Sequence, residues 1–399
     1  MSEKSRVAVV YCDSYEREKV YRAMCAGIAA IGGIESLIAK DESILVKPNF
    51  LIVSEPDKAV ITHPSVTAGM LRILKEHGYA DIVCGDSPGH GHMSAAVTTA
   101  GLDEVFDEYG VRPAEMSKEV LVDYPEGVAA KQFYFAKAVT ESDAIIGLSK
   151  MKTHALEKIT GAVKNMYGLI CGYRKAEGHV KFPNASMFAR MLADIHKCTK
   201  PRLHIMDGIV AMEGNGPGSG TPIAMNVLLF STDPVALDTV FCRLVDLDPE
   251  LIPTNVQGEN IGIGSCHFED IEIIDVRADA GAGAHMEGGN EYAEFQITPD
   301  ELFARYGNAK FDVDRNGSKK TLLSRFSDIM TSVARRPYID KELCVKCGIC
   351  TEHCPVPGKA VNFVRGDRSR PPVYDYRKCI RCYCCQEMCP KHAIKVRRL

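Results

Sequence analysis

The stretch DAIIGLSKMKTH, residues 143–154, decides how the first three quarters of the chain fold. Its first half is a short apolar run, which is typical of a buried strand in a parallel sheet. Lys150, Lys152 and His154 follow that run directly. Charged side chains are rarely buried without a partner, so their position at the end of a core strand predicts a functional site.

The same alternation of apolar runs and amphipathic helical patterns extends over residues 1–309. Further strands are predicted at VAVVYC (7–12), ILVKPNFLIV (44–53), DIVCGD (81–86), RLHIMDGIVAM (202–212), NVLLF (226–230) and IEIIDV (271–276). Helices are predicted near 16–39, 64–77, 94–109, 159–170, 184–199, 233–245 and 249–262. This βαβ pattern predicts an α/β fold with a mostly parallel sheet and helices on both faces.

Polar residues gather where these strands end, and ligands of parallel sheets bind at the carboxyl ends of the strands. The predicted ligand-binding residues are Lys47, Asn49, Asp86, Ser87, Lys150, Thr153, Asn165, Glu213, Asn215, Gly216, Gly218 and Gly220. The predicted catalytic residues are His154, Lys152, Lys164 and Asp207. So many lysines favour an anionic ligand such as a carboxylate, a phosphate or a nucleotide, with Gly161 and Gly168 allowing close approach.

Each of these motifs also has a plainer interpretation as a turn, a flexible glycine loop or a solvated basic face. The run GNGPGSG (214–220) lacks the GK[ST] ending and precedes a strand, so it is not a P-loop. The run GHGHM (89–93) likewise fails the dinucleotide fingerprint. The case for a site therefore depends on all the motifs meeting at one edge of the sheet.

Composition limits the class of protein. The chain has 399 residues, of which 46% are hydrophobic and 25% charged, so two or three globular domains are expected. The start lacks an apolar signal segment and no run is long enough to span a membrane, so a cytoplasmic protein is expected. Nucleic-acid binding is not expected, because aromatic residues are not interleaved with the basic ones.

Nine of the 16 cysteines lie between Cys344 and Cys389, where the run C-x2-C-x2-C-x3-C-P occurs twice. This is the spacing of bacterial ferredoxins, in which the fourth cysteine of each run binds the other cluster. The first [4Fe–4S] cluster is assigned to Cys344, Cys347, Cys350 and Cys389, and the second to Cys354, Cys379, Cys382 and Cys385. A zinc site is the alternative, although zinc sites seldom show this doubled run. Cys384 is expected to be a bystander.

The cysteine-rich region resembles the two-cluster ferredoxins of bacteria, which implies a small α+β domain. The predicted organisation is a body (1–309), a linker (310–336) and a tail (337–399). An amphipathic linker helix is predicted from the helical spacing of Leu322, Leu323, Phe326, Ile329, Met330 and Val333. The tail carries 13 basic and 6 acidic residues (+7), and the remainder carries 35 and 46 (−11). The tail is therefore expected to dock on its own body, or on that of a second subunit in a homodimer.

The body resembles the domain-of-unknown-function 362 family. The resemblance is carried by KPN (47–49), GDSPG (85–89), KTH (152–154), TGAVKN (160–165), DGIVAMEGNGPGSG (207–220) and STDPVALD (231–238). Members of that family are often fused to a ferredoxin module, as here. The resemblance implies a prokaryotic, often anaerobic, iron–sulfur protein and brings no assigned reaction.

Three functions agree with these features. The first is a reductase in which a redox partner protein and the clusters deliver electrons to a small anionic substrate, with His154 or a lysine as proton donor. The second is an electron carrier that performs no chemistry of its own, and the third is a non-redox enzyme with structural or sensing clusters. A flavin would convert single electrons into pairs, but the sequence contains no specific flavin motif.

Overall fold

The computed structural model describes residues 4–278, 285–287, 290–316 and 335–397. In chain order the strands are β1 (Ser5–Tyr11), β2 (Ile44–Lys47), β3 (Ile82–Cys84), β4 (Arg112–Pro113), β5 (Glu119–Asp123), β6 (Gln132–Ala136), β7 (Ala144–His154), β8 (Lys158–Thr160), β9 (Leu203–Glu213), β10 (Thr221–Ser231), β11 (Ile271–Ala278), β12 (His285–Glu287), β13 (Asn290–Ile297), β14 (Arg336–Ile339), β15 (Val361–Asn362), β16 (Val373–Tyr374) and β17 (Ile394–Arg397).

The α-helices are α1 (Arg17–Ala30), α2 (Ile34–Leu37), α3 (Pro64–Glu76), α4 (Met93–Thr99), α5 (Asp103–Tyr109), α6 (Lys137–Thr140), α7 (Ala162–Asn165), α8 (Gly172–Lys181), α9 (Ala185–Thr199), α10 (Pro234–Leu244), α11 (Pro253–Ile261), α12 (Pro299–Tyr306), α13 (Ile349–Glu352) and α14 (Cys384–Glu387). Short 3₁₀ helices occur at Pro56–Lys58, Met166–Leu169, Pro249–Leu251, Phe268–Asp270 and Val364–Gly366.

One large sheet organises the body. Its strand order is β12-β13-β11-β1-β10-β9-β7-β2-β3-β4, and β8 pairs with β7. The strands from β9 to β4 run parallel, whereas β10 is antiparallel to both of its neighbours. The α/β fold is therefore confirmed, with a mixed sheet whose parallel half contains the predicted strand ends.

Helices cover both faces of this sheet, as predicted. Along β1, Ala8 and Val10 contact one hydrophobic cluster and Val7 and Val9 contact another, because successive side chains of a strand point to opposite faces. Helices α1 and α3 pack over the first face, and α9 and α10 over the second. Both faces of the parallel strands are thus buried, so these strands are apolar almost throughout.

Several predicted helices are shorter than their sequence patterns, and glycine is the usual cause. The helix predicted over 16–39 is divided after α1, where Gly32 and Gly33 have φ values of 106° and 79°. The one predicted over 94–109 is divided at Gly101, whose φ is 70°. These values are strained for residues with a Cβ, so the chain turns there. The helices predicted near 64–77, 184–199 and 233–245 are confirmed within two residues.

The helix predicted over 159–170 is replaced by β8, α7 and a 3₁₀ turn. Strand β7 continues to His154 and turns back, so that Lys152 pairs with Thr160 in β8. Gly161 then begins α7 in an extended conformation. The predicted helix over 249–262 also divides, into a 3₁₀ turn and α11. Because β7 is longer than predicted, Lys150, Lys152 and His154 lie within a strand rather than in the loop after it.

The tail is built from two small antiparallel pairs, β14 with β17 and β15 with β16, and the one-turn helices α13 and α14. Its first and last strands pair, which brings the two ends of the tail together and, with them, the two cysteine runs. The linker helix predicted at 322–333 lies outside the described residues.

Candidate functional site

A cavity of about 610 Å³ lies between the body and the tail. Its body wall comes from the ends of the parallel strands, α7 and α8, and its tail wall from α13, α14 and the residues next to them. The polar residues that line it are Asn49, Asp86, Ser87, His90, Lys152, Thr160, Lys164, Asn165, Tyr167, Lys175, His179, Glu352, His353, Cys354, Lys359, Cys384 and Glu387. The predicted convergence at the strand ends therefore produces a cavity, and the tail closes it.

A buried polar layer forms the floor of this cavity. The Lys47 Nζ atom lies 2.9 Å from Asp86 Oδ1 and donates to Asn165 Oδ1 at 3.0 Å. Burial lowers the pKa of Lys47, and Asp86 opposes that shift. Asp86 also accepts from the backbone N–H groups of Phe50 and Ser87. Lys47 itself is fully buried beneath the cavity, so its role is to hold Asp86 and Asn165 in the wall.

Lys152 lines the cavity, and no carboxylate of the described residues pairs with it. Its Nζ atom donates to Asn49 Oδ1 and to the carbonyl oxygen of Val60, each at 2.7 Å. Burial lowers the pKa of Lys152 well below its ordinary value, and the charges of Lys164 and Lys150 lower it further. Two fixed acceptor oxygens therefore hold the Lys152 amine rigidly in the cavity wall.

Lys164 is at the electrostatic centre of the cavity. Among the residues that the structure describes, its amine has no hydrogen-bond or ion-pair partner, although its exposure is only 9%. Its charge contributes to the pKa shifts of Lys47, Lys152, His154, Glu157, Lys175, His179 and Glu387. Helix α7 is fixed by Asp238, which accepts from the N–H groups of Ala162 and Val163. An ammonium group left unpaired in a buried wall is expected to meet an anion.

Two glycines allow these side chains to approach one another, as predicted. A Cβ atom on Gly161 would lie 2.0 Å from Asp238 Oδ1, and one on Gly168 would lie 1.9 Å from Asp86 Oδ1. Neither distance is compatible with a methyl group, so both positions require glycine.

Helix α8 supplies two residues that sequence reasoning missed, Lys175 and His179. They are four residues apart and therefore share a face, which is turned to the cavity. Lys175 donates to the carbonyl oxygen of Ser87, and burial, together with Lys47 and Lys164, lowers its pKa to about 8. Burial lowers the pKa of His179 to about 4, so its ring is neutral at pH 7. The signal that was available is the Lys-x3-His spacing in GYRKAEGHVK (172–181).

Lys150 and Asp207, by contrast, do not line the cavity. They are register partners on β7 and β9, and the Lys150 Nζ atom lies 2.7 Å from Asp207 Oδ2. The Tyr15 hydroxyl contacts both side chains at 2.8 Å, and the His63 backbone N–H donates to Asp207 at 3.0 Å. Asp207 is thus paired with a buried cation and surrounded by fixed donors. This arrangement indicates a structural role rather than the predicted catalytic one.

His154 also lies outside the cavity lining. Its Nδ1 atom accepts from the backbone N–H groups of Leu156 and Glu157, and its Nε2 atom is 3.0 Å from Glu387 Oε1 of the tail. Burial and the charge of Lys164 lower the pKa of His154 to about 4. Burial raises the pKa of Glu387, but the contact with His154 and the charge of Lys164 lower it more. The contact between a neutral His154 and an ionised Glu387 therefore joins the body to the tail.

The glycine-rich loop at 214–220 contacts the tail, and its Pro217 also lines the cavity. Gln386 donates to the carbonyl oxygens of Asn215 and Gly216 at 2.8 and 3.1 Å, and Asn215 Nδ2 donates to the carbonyl oxygen of Ile394 at 3.1 Å. A Cβ atom on Gly218 would lie 3.0 Å from the carbonyl oxygen of Glu387.

The body holds this loop from behind. Thr153 Oγ1 donates to the carbonyl oxygen of Gly214 and accepts from the Gly216 N–H. Glu213 accepts from the Asp312 N–H, and a Cβ atom on Gly220 would lie 2.2 Å from the Glu213 carbonyl oxygen. These predicted ligand-binding residues form a docking surface.

The cysteines group as the ferredoxin spacing predicts. Cys344, Cys347, Cys350 and Cys389 line one small cavity in the tail. The pKa of Cys350 is raised to about 11 by burial and then by the thiols of Cys389, Cys347 and Cys344. Four thiols around one cavity fit the ligand set of a [4Fe–4S] cluster.

The second group, which contains Cys354, lies beside the body–tail cavity. Burial raises the pKa of Cys379, and the neighbouring thiols of Cys382 and Cys354 add to that shift. Tyr374 Oη lies 3.1 Å from Cys385 Sγ. The Ala360 and Ala393 N–H groups donate to Cys354 and Cys389 at 3.2 and 3.3 Å, the N–H···S bonds expected around a cluster.

The extra cysteine, Cys384, was expected to be a bystander to the clusters, and the structure places it in the cavity lining. Cys384 lines the body–tail cavity together with Cys354. The second cysteine group is therefore adjacent to the lysine-lined cavity, whereas the first group lies apart from it.

Comparison with known proteins assigns the family. Residues 44–243, half of the chain, match the family model described as Domain of unknown function (DUF362). The chain belongs to this family. The match spans the cavity residues of the body from Asn49 to His179. Residues 336–390 match the 4Fe-4S dicluster domain, so this DUF362 member is an iron–sulfur protein of the electron-transfer type. Both resemblances seen in the sequence are confirmed.

A thylakoid-associated protein of Synechocystis sp. is 31% identical over 265 residues, which cover 64% of this chain and 79% of the relative. Two solved structures are more distant. The first is the lactate racemase apoprotein from Thermoanaerobacterium thermosaccharolyticum, with 12% sequence identity and a TM-score of 0.41; the match covers 61% of this chain and 57% of that one. The second is a protein from Thermotoga maritima, with 14% sequence identity and a TM-score of 0.36; the match covers 64% of this chain and 60% of that one. The chain spans less than two thirds of either solved structure.

Among the described residues, no helix combines the length and the apolar character that a membrane span requires.

Proposed function

We propose that this protein is an iron–sulfur reductase that binds a small anionic substrate in the cavity between its body and its tail. One observation carries the proposal. The same cavity is lined by Lys152, Lys164 and Lys175 of the body and by Cys354 of the second predicted cluster group. A site for an anion and a site for an electron donor therefore share a wall.

The two [4Fe–4S] clusters, held by the cysteine groups described above, would supply single electrons at low potential. The chain itself provides the binding and the protons. Lys164 and Lys175 hold the anion, and the docked tail excludes water, which strengthens these charge interactions. Lys152 is the preferred proton donor, because it lines the cavity while His154 faces Glu387.

The electron donor is proposed to be an acidic redox partner protein. Arg365, Arg368 and Arg370 are exposed, and the Arg368 guanidinium approaches Gly348, between Cys347 and Cys350 of the first cysteine group. A basic surface beside that group suits an acidic carrier. Electrons would then enter at the first group and leave from the second. A cytoplasmic location and a homodimer remain predictions of the sequence.

The test uses the anaerobically purified protein, after confirmation of about eight irons per chain. Dithionite-reduced protein is freed of reductant and mixed with individual small carboxylates and phosphates, while cluster absorbance and products are followed. A reductase is reoxidised by its substrate, which is recovered in reduced form. Lys164→Gln should abolish this reoxidation with iron retained, and the exposed Lys131→Gln should not.

Two outcomes would replace the proposal. Clusters that exchange electrons only with carrier proteins, in both Lys164→Gln and the unmodified protein, would indicate an electron carrier. Turnover by protein from which the iron has been removed would indicate a non-redox enzyme.

A further inference from the structure

We infer that the natural ligand of the body–tail cavity is a dianion, either a dicarboxylate or a phosphate-type group, that carries a hydrogen-bond donor. The inference rests on the proposed function, because it names the ligand of the same cavity. Its basis is the set of charges and unpaired polar atoms that the cavity wall presents.

The charges in the wall do not cancel. Lys47 and Asp86 form one pair beneath the floor, and Lys359 and Glu352 on the tail wall offset each other. Lys152, Lys164 and Lys175 have no carboxylate within 4 Å among the described residues.

The carboxylate of Glu387 supplies one negative charge to offset these three cations, and its own neighbour, His154, is neutral. With all three lysines protonated, the lining is left with two positive charges, and a bound dianion favours this state over the neutral amine that burial of Lys152 favours in its absence. With the two clusters counted at about −2 each, the tail itself keeps a positive balance of about +3 out of its +7.

The unpaired atoms indicate where the ligand binds. Among the described residues, Thr160 Oγ1 and His179 Nδ1 are buried in the lining without a hydrogen-bond partner, and the Lys164 amine has none either. One cation and two unpaired groups that can donate, in the same lining, suit the oxygens of an oxyanion. Glu387 lines the same cavity. Its Oε1 atom faces His154 Nε2 at 3.0 Å, and a carboxylate has further acceptor sites, which suit a hydroxyl or amine on the same ligand.

Asp86 and Asn49, two further acceptors in the described lining, are not free to serve as partners for the three lysines. The carboxylate of Asp86 is already occupied by Lys47 and by two backbone N–H groups. The amide oxygen of Asn49 is occupied by Lys152. The dianion is therefore assigned to the unpaired donors in the described lining, which are Thr160, Lys164 and His179.

Isothermal titration calorimetry on the anaerobic holoprotein at pH 7 and constant ionic strength tests the inference. The probes are sulfate and malonate as dianions, with nitrate and acetate as matched monoanions. The dianions are expected to bind about tenfold to a hundredfold more tightly, which is the range for one additional charged hydrogen-bond partner. Lys164→Gln is expected to remove most of that difference, and Lys131→Gln none of it.

Each outcome has a distinct meaning. Tight binding of malonate but not sulfate identifies a dicarboxylate site. Tight binding of sulfate but not malonate identifies a phosphate-type site. Equal affinities for monoanions and dianions would overturn the dianion inference while leaving the anion cavity intact. Failure of all four probes to bind protein with its full iron content would overturn the proposed function as well. Lys175→Gln gives the same comparison should Lys164→Gln not fold.

Discussion

Raising the pH from 7 to 9 is expected to weaken the binding of sulfate in the cavity about tenfold, and Lys175 is the reason. Burial lowers the pKa of this lysine to about 8 from its ordinary 10.5, with Lys47 and Lys164 adding to the shift and Asp86 opposing it. A bound anion favours the protonated form and so raises this pKa toward its ordinary value. The anion therefore binds the protonated protein, and affinity is lost as the pH rises through about 8.

The magnitude follows from the two pKa values. Between pH 7 and pH 9 the protonated fraction of Lys175 in the free protein falls from about nine tenths to about one tenth, while the complex stays protonated. Because sulfate does not titrate in this range, the loss belongs to the protein.

Calorimetric titrations at pH 7, 8 and 9 and constant ionic strength measure this loss, and Lys175→Gln should bind weakly with little pH dependence. An unmodified protein whose affinity is constant from pH 7 to 9 would refute the reasoning. So would a Lys175→Gln variant with the same slope.

Three further predictions concern the surrounding structure. Lys150→Met is expected to lower the free energy of unfolding by about 3–5 kcal/mol, because it leaves Asp207 buried without its cation; urea denaturation measures this, and sulfate affinity should persist if the pair is structural. Cys385→Ser should reduce the iron content from about eight to about four per chain, while Cys384→Ser should retain all of it, and equal losses would contradict the cluster assignment. Gly168→Ala should lower both the melting temperature and the sulfate affinity, because its methyl group would collide with the cavity floor; unchanged values would show that the floor can move aside.

The parts of the site that the sequence predicted are those that depend on local spacing or on strand direction. The cysteine groups follow from a doubled run whose geometry is nearly independent of the rest of the chain. Lys47, Asp86 and Lys152 were predicted together because parallel strands end at the same edge of a sheet. Both arguments need only the order of the residues and the direction of the chain.

The parts that were missed depend on which neighbour a side chain meets. Lys150 and Lys152 lie on the same face of β7, and their sequence context is similar. Lys150 is directly opposite Asp207 on β9 and pairs with it, whereas Lys152 meets only amide and carbonyl oxygens. The register of two strands about fifty residues apart decides between these roles, and a pattern within either strand does not contain it.

The glycine-rich loop illustrates the same point at the scale of domains. Its glycines suggested close approach of a ligand, and close approach is what the structure has, but the group that approaches is the backbone of the tail at Gly218. A glycine in the sequence indicates the close approach of another group but does not identify that group. Only the docked arrangement distinguishes a binding loop from a docking surface.

Helix α14 explains why docking and electron delivery are expected to be inseparable in this chain. Within one turn, Cys385 belongs to the second cysteine group, Gln386 donates to the carbonyl oxygens of the glycine-rich loop, and Glu387 contacts His154 while lining the cavity. Residues in one turn of helix cannot shift independently, so any loosening of the Gln386 contacts moves the cysteine group and the cavity wall together. A separated tail would keep its cysteine spacing but would lose one wall of the cavity, and a separated body would expose Lys152 and Lys164 to water. The charge interactions that hold an anion would then be weakened by solvent, so the arrangement requires both parts on one chain or in firm contact.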